Sequence, residues 1–148
     1  MRIVIFGANG PTGRLLTRLS LTAGYDTVAV TRQPGTFPLQ DPLLRVAGAD
    51  VLDADAVDSL VEGGDAVLSA LGVPFGKAPV EVYSRGAEHM LDAMKRHDVR
   101  RLVVVSSGAV TGEDEPTGGF LFNRVGHVIT TRDNPSLLSL MLREAFGK

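Results

Sequence analysis

The chain alternates between short apolar runs and longer segments in which apolar residues recur every three or four positions. A short apolar run rich in β-branched residues is typical of a strand. We therefore predict five strands, the third of them weak, at residues 2–6, 27–31, 44–47, 66–71 and 102–106.

Helical spacing fills three of the intervals between these strands. The first predicted helix covers residues 11–23, with Pro11 in its first turn and Gly24 as its stop signal. Its inward face is predicted to carry Leu15, Leu16, Leu19 and Ala23. A short helix at 55–62 ends at two glycines, and a long one spans 79–97. The inward positions predicted for the long helix are Val82, Ala87, Met90, Leu91 and Met94.

Strands that alternate with helices indicate βαβ units and a parallel sheet with helices on both faces. Right-handed crossovers then predict an α/β fold, a doubly wound (Rossmann) sheet of about five strands in the order 3-2-1-4-5, in three αβα layers. The length of 148 residues fits a single domain over 1–148.

The pattern weakens after the fifth strand. Residues 108–119 are polar and glycine-rich, which predicts a loop. Helices are predicted at most around 121–131 and 135–146, and no convincing sixth strand is visible. We expect 108–148 to be irregular or atypical.

Composition narrows the classes of function. There are no cysteines, which excludes disulfides and thiolate metal sites and fits a reducing, cytoplasmic location. The net charge of -2 predicts no general attraction to nucleic acid or to a membrane surface. The basic cluster at 95–101 follows a helix end, where cations offset the dipole, so we interpret it as a solvated surface. We see no signal peptide, no apolar run long enough to cross a bilayer, and no metal-ligand spacing.

Three glycines, Gly7, Gly10 and Gly13, stand where the first strand turns into the first helix. In a doubly wound sheet that turn binds a dinucleotide pyrophosphate at the helix N-terminus. Gly7 would permit the tight turn, Gly10 would let phosphates approach the backbone, and Gly13 would let helix and strand pack closely. Asn9 and Thr12 can hydrogen-bond within the turn or to the phosphates.

The glycine spacing leaves one alternative open. It is G-x-x-G-x-x-G, not G-x-G-x-x-G, and a tight turn without a ligand would use similar residues. A P-loop fits badly, because that motif needs four residues between its glycines and then a lysine.

The end of the second strand distinguishes NAD from NADP. An acidic residue there would bind the ribose 2′-hydroxyl, whereas an arginine suits a 2′-phosphate. The chain has Thr31 and Arg32 and no acid, which favours NADP over NAD. The alternative is that Arg32 is simply a solvated loop charge.

Two further segments follow strand ends. Asp50 could accept a hydrogen bond from adenine and Val51 could flank the ring, although Asp53 or Asp55 is also expected to cap the next helix. The fourth predicted strand ends in "SALG", residues 69–72, where small residues would leave room for the ribose and nicotinamide; the candidate contacts there are Ala70, Leu71 and Gly72.

The segments "GANGPTG", "VTR", "ADVLD", "LSALG" and "LVVVSS" occur together and in this order. The set resembles the atypical short-chain dehydrogenases with NAD(P)H-binding domains, close to biliverdin-IXβ reductase/flavin reductase and the NmrA-like proteins. The resemblance covers about residues 1–125. It implies that Ser107 faces the nicotinamide. It also implies that the residues in contact with NADPH are Gly7, Asn9, Gly10, Thr12, Gly13, Arg32, Asp50, Val51 and 71–72.

The chain also departs from that group. The C-terminal portion that usually carries the substrate site is short and does not match. Ordinary short-chain dehydrogenases use a Tyr with a Lys four residues later, but the sequence has only Tyr25 and Tyr83. Ala87 stands four residues after Tyr83, and Tyr83 begins a helix on the wrong side of the fifth strand, so this mechanism is not expected. Ser106 and Ser107 could orient an acceptor, or they could merely satisfy the end of a strand.

These observations predict an NADPH-dependent oxidoreductase that passes hydride to a flavin-like, tetrapyrrole or quinone-like acceptor, with solvent supplying the proton. A redox sensor that binds NADP(H) and a protein partner without turnover is the alternative. A third possibility is an inactive, shortened member of the group whose exposed sheet edge favours a homo-oligomer.

Overall fold

A single parallel sheet organises the computed structural model, which describes residues 1–72, 81–106 and 129–130. Its strands are β1 (Arg2–Phe6), β2 (Asp26–Thr31), β3 (Leu44–Gly48), β4 (Ala66–Ser69), β5 (Leu102–Ser106) and β6 (Ile129–Thr130). Their order is β3-β2-β1-β4-β5-β6, and every neighbouring pair is parallel. The predicted doubly wound sheet with the order 3-2-1-4-5 is confirmed.

The helices are α1 (Pro11–Thr22), α2 (Ala54–Val61) and α3 (Val82–Arg96), with a 3-10 turn at Pro34–Thr36. Each helix lies within one or a few residues of its predicted range. The first residues predicted for α3 fall in 73–80, outside the described residues.

Alternate side chains of β1 face opposite layers, as the period of a strand requires. Ile3 and Ile5 belong to a core with Leu16 of α1. Val4 and Phe6 belong to a second core with Val57 of α2 and several residues of α3. Both faces of the sheet are therefore covered, which explains why β1 is apolar almost throughout.

The buried face of α1 differs from the predicted one. Leu16 is buried, but the other fully buried positions are the small residues Gly13, Thr17 and Ser20, whereas Ala23 is exposed. The hydroxyl of Thr17 donates to the Gly13 carbonyl at 2.8 Å, and Ser20 shares a 2.9 Å hydrogen bond with Thr27 of β2. Small hydroxyl residues let α1 lie close to the sheet without leaving a buried polar group unsatisfied.

A glycine inside α3 has a similar effect on the opposite face. A Cβ on Gly86 would lie 2.9 Å from a methyl group of Val51 and 3.4 Å from Leu71. Met90 and Met94 are buried as predicted, together with Gly86 and Ala93. The absent side chain at 86 brings α3 against the segments that follow β3 and β4.

The two-residue strand β6 was not predicted. Ile129 and Thr130 pair with Val105 and Ser106, so the helix predicted over 121–131 is wrong at these two positions. Both residues are β-branched and favour a strand, but two residues are too few to produce a recognisable period. The loop predicted at 108–119 and the helix predicted at 135–146 lie outside the described residues.

Candidate functional site

The glycine turn, residues 7–13, lies at the carboxyl edge of the sheet between two neighbouring strands. In the parallel register, Phe6 of β1 is level with Val30 of β2 and with Ser69 of β4. The amide of Ala8 donates to the Val30 carbonyl at 3.1 Å, and the amide of Ala70 donates to the Phe6 carbonyl at 2.9 Å. The turn is therefore fixed at the topological switch point of the sheet, where β2 and β4 lie on opposite sides of β1.

Gly7 has the backbone conformation that a tight turn requires. Its φ is 74°, in the region that favours glycine, and a Cβ there would lie 2.5 Å from the Ala70 carbonyl oxygen. Both the dihedral angle and the approach to β4 exclude a side chain. The fold itself thus requires glycine at position 7.

Gly13 is required by the contact between helix and strand. A Cβ there would lie 2.2 Å from the Gly7 carbonyl oxygen and 2.6 Å from the Cα of Ala8. These are backbone atoms at the end of β1, which cannot move aside without opening the turn. This is the close helix–strand packing that the sequence predicted for the third glycine.

Gly10 differs from the other two glycines. Its φ of -71° and ψ of 165° are open to any residue. Among the described residues, a Cβ there would meet only the Gly7 carbonyl oxygen, at an ordinary 3.5 Å. It is the N-cap of α1 without a side-chain capping bond, and Pro11 follows as the first helical residue. The packing of the described residues does not explain this glycine, whereas a phosphate approaching the backbone would.

The amide groups of the first turn of α1 also suit an anion. The first N–H groups of any helix lack intrahelical acceptors, and they carry a partial positive charge. Thr12, half-buried, and Gly13 contribute such groups here. A pyrophosphate therefore fits the residues present at this turn.

Asn9 links the glycine turn to the loop after β2. Its Oδ1 accepts hydrogen bonds from Arg14 Nε at 3.1 Å and Nη2 at 2.8 Å. Its Nδ2 donates to the hydroxyl of Thr36 at 3.2 Å, and that hydroxyl donates to the Gln33 carbonyl at 3.1 Å. We call the contacts of Arg14, Asn9 and Thr36 the Asn9 bridge.

Thr31 and Arg32 stand where β2 ends beside this bridge. Thr31 is buried, and its hydroxyl accepts from the Gln33 amide at 3.2 Å. Arg32 is exposed, and its side chain makes no hydrogen bond or ion pair with the described residues. The predicted contact of its guanidinium with a 2′-phosphate stays a prediction.

The segment after β3 is organised around its acidic residues. Asp50 is exposed, and its Oδ1 accepts from the Leu52 amide at 3.0 Å, so one oxygen is used by the local turn. Of the two predicted capping residues, Asp53 is the N-cap of α2 and accepts from the Ala56 amide at 3.1 Å.

Val51 is more enclosed than its predicted role implies. It is only 6% exposed, and its carbonyl lies 2.9 Å from Nδ1 of His89 in α3. The side chain packs below Gly86, so it presents little surface to an adenine ring. The adenine contacts predicted for Asp50 and Val51 remain predictions.

The residues after β4 lie on the other side of the glycine turn. Ala70 and Leu71 are half-buried, and Gly72 is exposed with open space around it. Ser106 is the last residue of β5, at the same edge of the sheet. The side chain of Ser106 and the whole of Ser107 lie outside the described residues, so their predicted roles stay predictions.

The basic cluster at the end of α3 contains local ion pairs. Arg96 lies 3.0 Å from Asp58, and Arg100 lies 3.0 Å from Asp98. In the described ranges, no group of three or more potential ligands is placed to hold a metal ion. None of the helices in these ranges has the length and hydrophobicity of a membrane span.

Sequence reasoning missed the parts that Arg14 and Thr36 play at this site. The role of Arg14 could have been suspected from the sequence. A cation near the N-terminus of a helix is disfavoured by the helix dipole, so its presence there suggests an interaction with an anion. Thr36 had none, since its contact with Asn9 joins residues 27 positions apart through the fold.

Comparison with known proteins shows similarity in sequence and in fold. Residues 7–132 match a family described as NAD(P)H-binding. A solved structure of a Rossmann-fold NAD(P)-binding family protein from Shigella flexneri is similar, with 26% identity and a TM-score of 0.61. That similarity covers 75% of this chain and 54% of the other.

Two curated relatives are similar over most of this chain. An uncharacterized protein of Mycobacterium tuberculosis is 33% identical over 109 residues, which are 73% of this chain and 12% of that protein. A uronate dehydrogenase of Pseudomonas syringae is 32% identical over 114 residues, 75% of this chain and 41% of that enzyme. The chain thus spans less than half the length of either relative.

Proposed function

The chain belongs to the NAD(P)H-binding family, and from that membership we propose that it is an NADPH-dependent oxidoreductase that transfers hydride to a small-molecule acceptor. Membership confirms the resemblance to the short-chain dehydrogenase group that its motifs carry. The observation that carries the proposal is the glycine at position 10. The packing of the described residues does not require a glycine there, whereas a phosphate bound against the backbone would.

Different parts of such a cofactor would be bound by the segments that follow three of the strands, β1, β2 and β4. The glycine turn after β1 would hold the pyrophosphate, and Arg32 after β2 would pair with the 2′-phosphate. Leu71 and Gly72 after β4 would border the nicotinamide ribose. When bound, the cofactor supplies a hydride, and the protein supplies position and electrostatics.

We propose a flavin, a tetrapyrrole or a quinone-like compound as the acceptor. Such a conjugated acceptor takes a hydride on one atom and a proton from solvent on another, so the reaction needs no Tyr–Lys pair. Ser106 and Ser107, at the end of β5, are the residues proposed to orient it.

The similarity to a uronate dehydrogenase favours a second substrate class. In that reading a sugar acid would give up hydride to the oxidised cofactor, and the hydroxyl proton would pass to a base or to water. The similar region covers 41% of that enzyme, so the substrate is a separate question from the cofactor.

A binding role without turnover is the remaining candidate. The sequence places no Lys four residues after Tyr25 or Tyr83, so the usual proton donor of short-chain dehydrogenases has no counterpart there. In this case the protein would bind NADP(H) and change its affinity for a partner protein.

Steady-state assays separate these candidates. We expect the purified protein to oxidise NADPH when FMN is supplied, with turnover lost in Gly10→Ala because a methyl group would occupy the phosphate position. Uronate with NADP⁺ tests the second class in parallel. Tight NADPH binding with no turnover on either substrate would support the sensor instead, and absence of any dinucleotide binding would overturn the proposal.

A further inference from the structure

We infer that Arg14 is a second cation for the 2′-phosphate of NADP(H), held in place by the Asn9 bridge, and that it contributes to the choice between NADP and NAD. This inference rests on the proposed cofactor. The 2′-phosphate would then be bound by two cations, Arg32 after β2 and Arg14 in α1, which lie on opposite sides of the Asn9 bridge.

The positive charge of Arg14 has no carboxylate partner among the described residues. Arg14 is half-buried, and both of its described hydrogen bonds go to the neutral amide oxygen of Asn9. No carboxylate pairs with it in the described part of the chain, whereas Arg2, Arg85 and Arg96 each have one. A partly desolvated guanidinium is normally paired, so this one is suited to an anion from outside the protein.

Arg14 also lies at an electrostatically unfavourable position on its helix. It stands four residues after the N-cap Gly10, and the first turn of α1 contains no acidic residue. Cations are unfavourable at this end of a helix, because the dipole is positive there. A bound phosphate would attract both the Arg14 guanidinium and the positive end of the helix dipole, which repel each other when no anion is bound.

The contacts of the Asn9 bridge indicate that Arg14 binds the 2′-phosphate of the cofactor and not its pyrophosphate. Asn9 connects Arg14 to Thr36, and Thr36 connects through Gln33 to Thr31, the residue before Arg32. The bridge thus ties Arg14 to the loop that carries the predicted 2′-phosphate ligand. The pyrophosphate already has the backbone amides of the glycine turn.

The orientation of Asn9 follows from the same contacts. An arginine has only donors, so the oxygen of the Asn9 amide must face Arg14 and its nitrogen must face Thr36. Asn9→Asp keeps the shape of the side chain. It gives Arg14 a carboxylate partner within the protein and removes the donor to Thr36.

Titration with paired ligands tests the inference. We would measure binding of 2′,5′-ADP against 5′-AMP, and of NADPH against NADH, by calorimetry for wild type, Arg14→Gln, Asn9→Asp and Arg18→Gln. Arg18 is the matched control, because it is an exposed cation one turn further along α1. Thermal melts of the free variants check that each is folded.

We expect Arg14→Gln to weaken 2′,5′-ADP and NADPH by roughly tenfold or more, with 5′-AMP and NADH nearly unchanged. Asn9→Asp should reduce the same preference, and Arg18→Gln should leave it intact. Equal weakening of NADPH and NADH by Arg14→Gln would place Arg14 on the pyrophosphate and overturn the inference. An unchanged preference in a folded Arg14→Gln protein would also overturn it. If wild type binds none of the four ligands, the proposed function itself fails.

Discussion

At the scale of single residues, the three glycines of the turn have distinct physical reasons. Gly7 and Gly13 are required by the protein, through a positive φ at the first and backbone contacts below 3 Å at both. Gly10 has an ordinary conformation and an ordinary Cβ contact. Of the three glycines, only Gly10 therefore distinguishes a turn that binds a ligand from a turn that is tight for structural reasons alone.

This difference predicts opposite behaviour for two alanine substitutions. Gly13→Ala should destabilise the free protein by about 1–3 kcal/mol or more, because its methyl group would overlap the end of β1. Gly10→Ala should change the free energy of unfolding little and weaken NADPH strongly. Urea unfolding and nucleotide titration of both variants measure the two effects. A Gly10→Ala protein that binds NADPH as wild type does would show that no phosphate approaches this residue.

Among the secondary-structure elements, the periodicity of apolar residues predicted the positions of the strands and helices well. It was less accurate in predicting which face of a helix is buried. The buried face of α1 includes Thr17 and Ser20, whose hydroxyl groups are satisfied within α1 and by β2. Polarity alone suggests that such residues face solvent, so the period of apolar residues misjudges the face. Ala23, predicted inward, is the exposed C-cap of α1, where the last turn leaves the sheet.

The start of α2 gives a prediction at this scale. Asp53→Ala should lower the free energy of unfolding by about 1 kcal/mol, because the carboxylate accepts from the Ala56 amide. Asp55→Ala is the matched control, since Asp55 lies in the first turn but is not the N-cap. Its loss should affect only the weaker interaction with the helix dipole. Denaturant unfolding that ranks the two substitutions the other way round would contradict the assignment of the cap.

At the scale of the whole molecule, the parallel register brings the ends of β1, β2 and β4 together. Phe6, Val30 and Ser69 are level, and the segments that follow them form the candidate site. Since these segments come from distant parts of the chain, a bound dinucleotide would connect them. It should therefore stabilise the molecule against global unfolding.

We expect NADPH at 100 times its Kd to stabilise the protein by about 2.7 kcal/mol, a rise in Tm of roughly 5 °C or more. NADH at the same concentration should stabilise it less. In Arg32→Glu the two shifts should become similar, because an acidic side chain repels the 2′-phosphate and suits a ribose hydroxyl. Thermal denaturation with each nucleotide measures the shifts. An NADPH preference that survives Arg32→Glu would mean that the 2′-phosphate lies elsewhere.

The amino-acid sequence was sufficient to predict the class of fold, the order of the first five strands and the position of the glycine turn. Those properties follow from local signals: the period of apolar residues, the alternation of strand and helix, and glycines at a strand–helix junction. It also identified Arg32 as a candidate ligand from its place after the second strand. Each of these inferences needs only neighbouring residues and general rules of connection.

The contacts between residues across the site could be identified only in the three-dimensional fold. It showed that Val51 packs below Gly86 and that Asn9 joins Arg14 to Thr36. It also showed that Gly10, unlike Gly7 and Gly13, is not explained by contacts among the described residues. Such facts depend on distances between segments that are far apart in the chain, and the periodicity of a sequence contains no information about them.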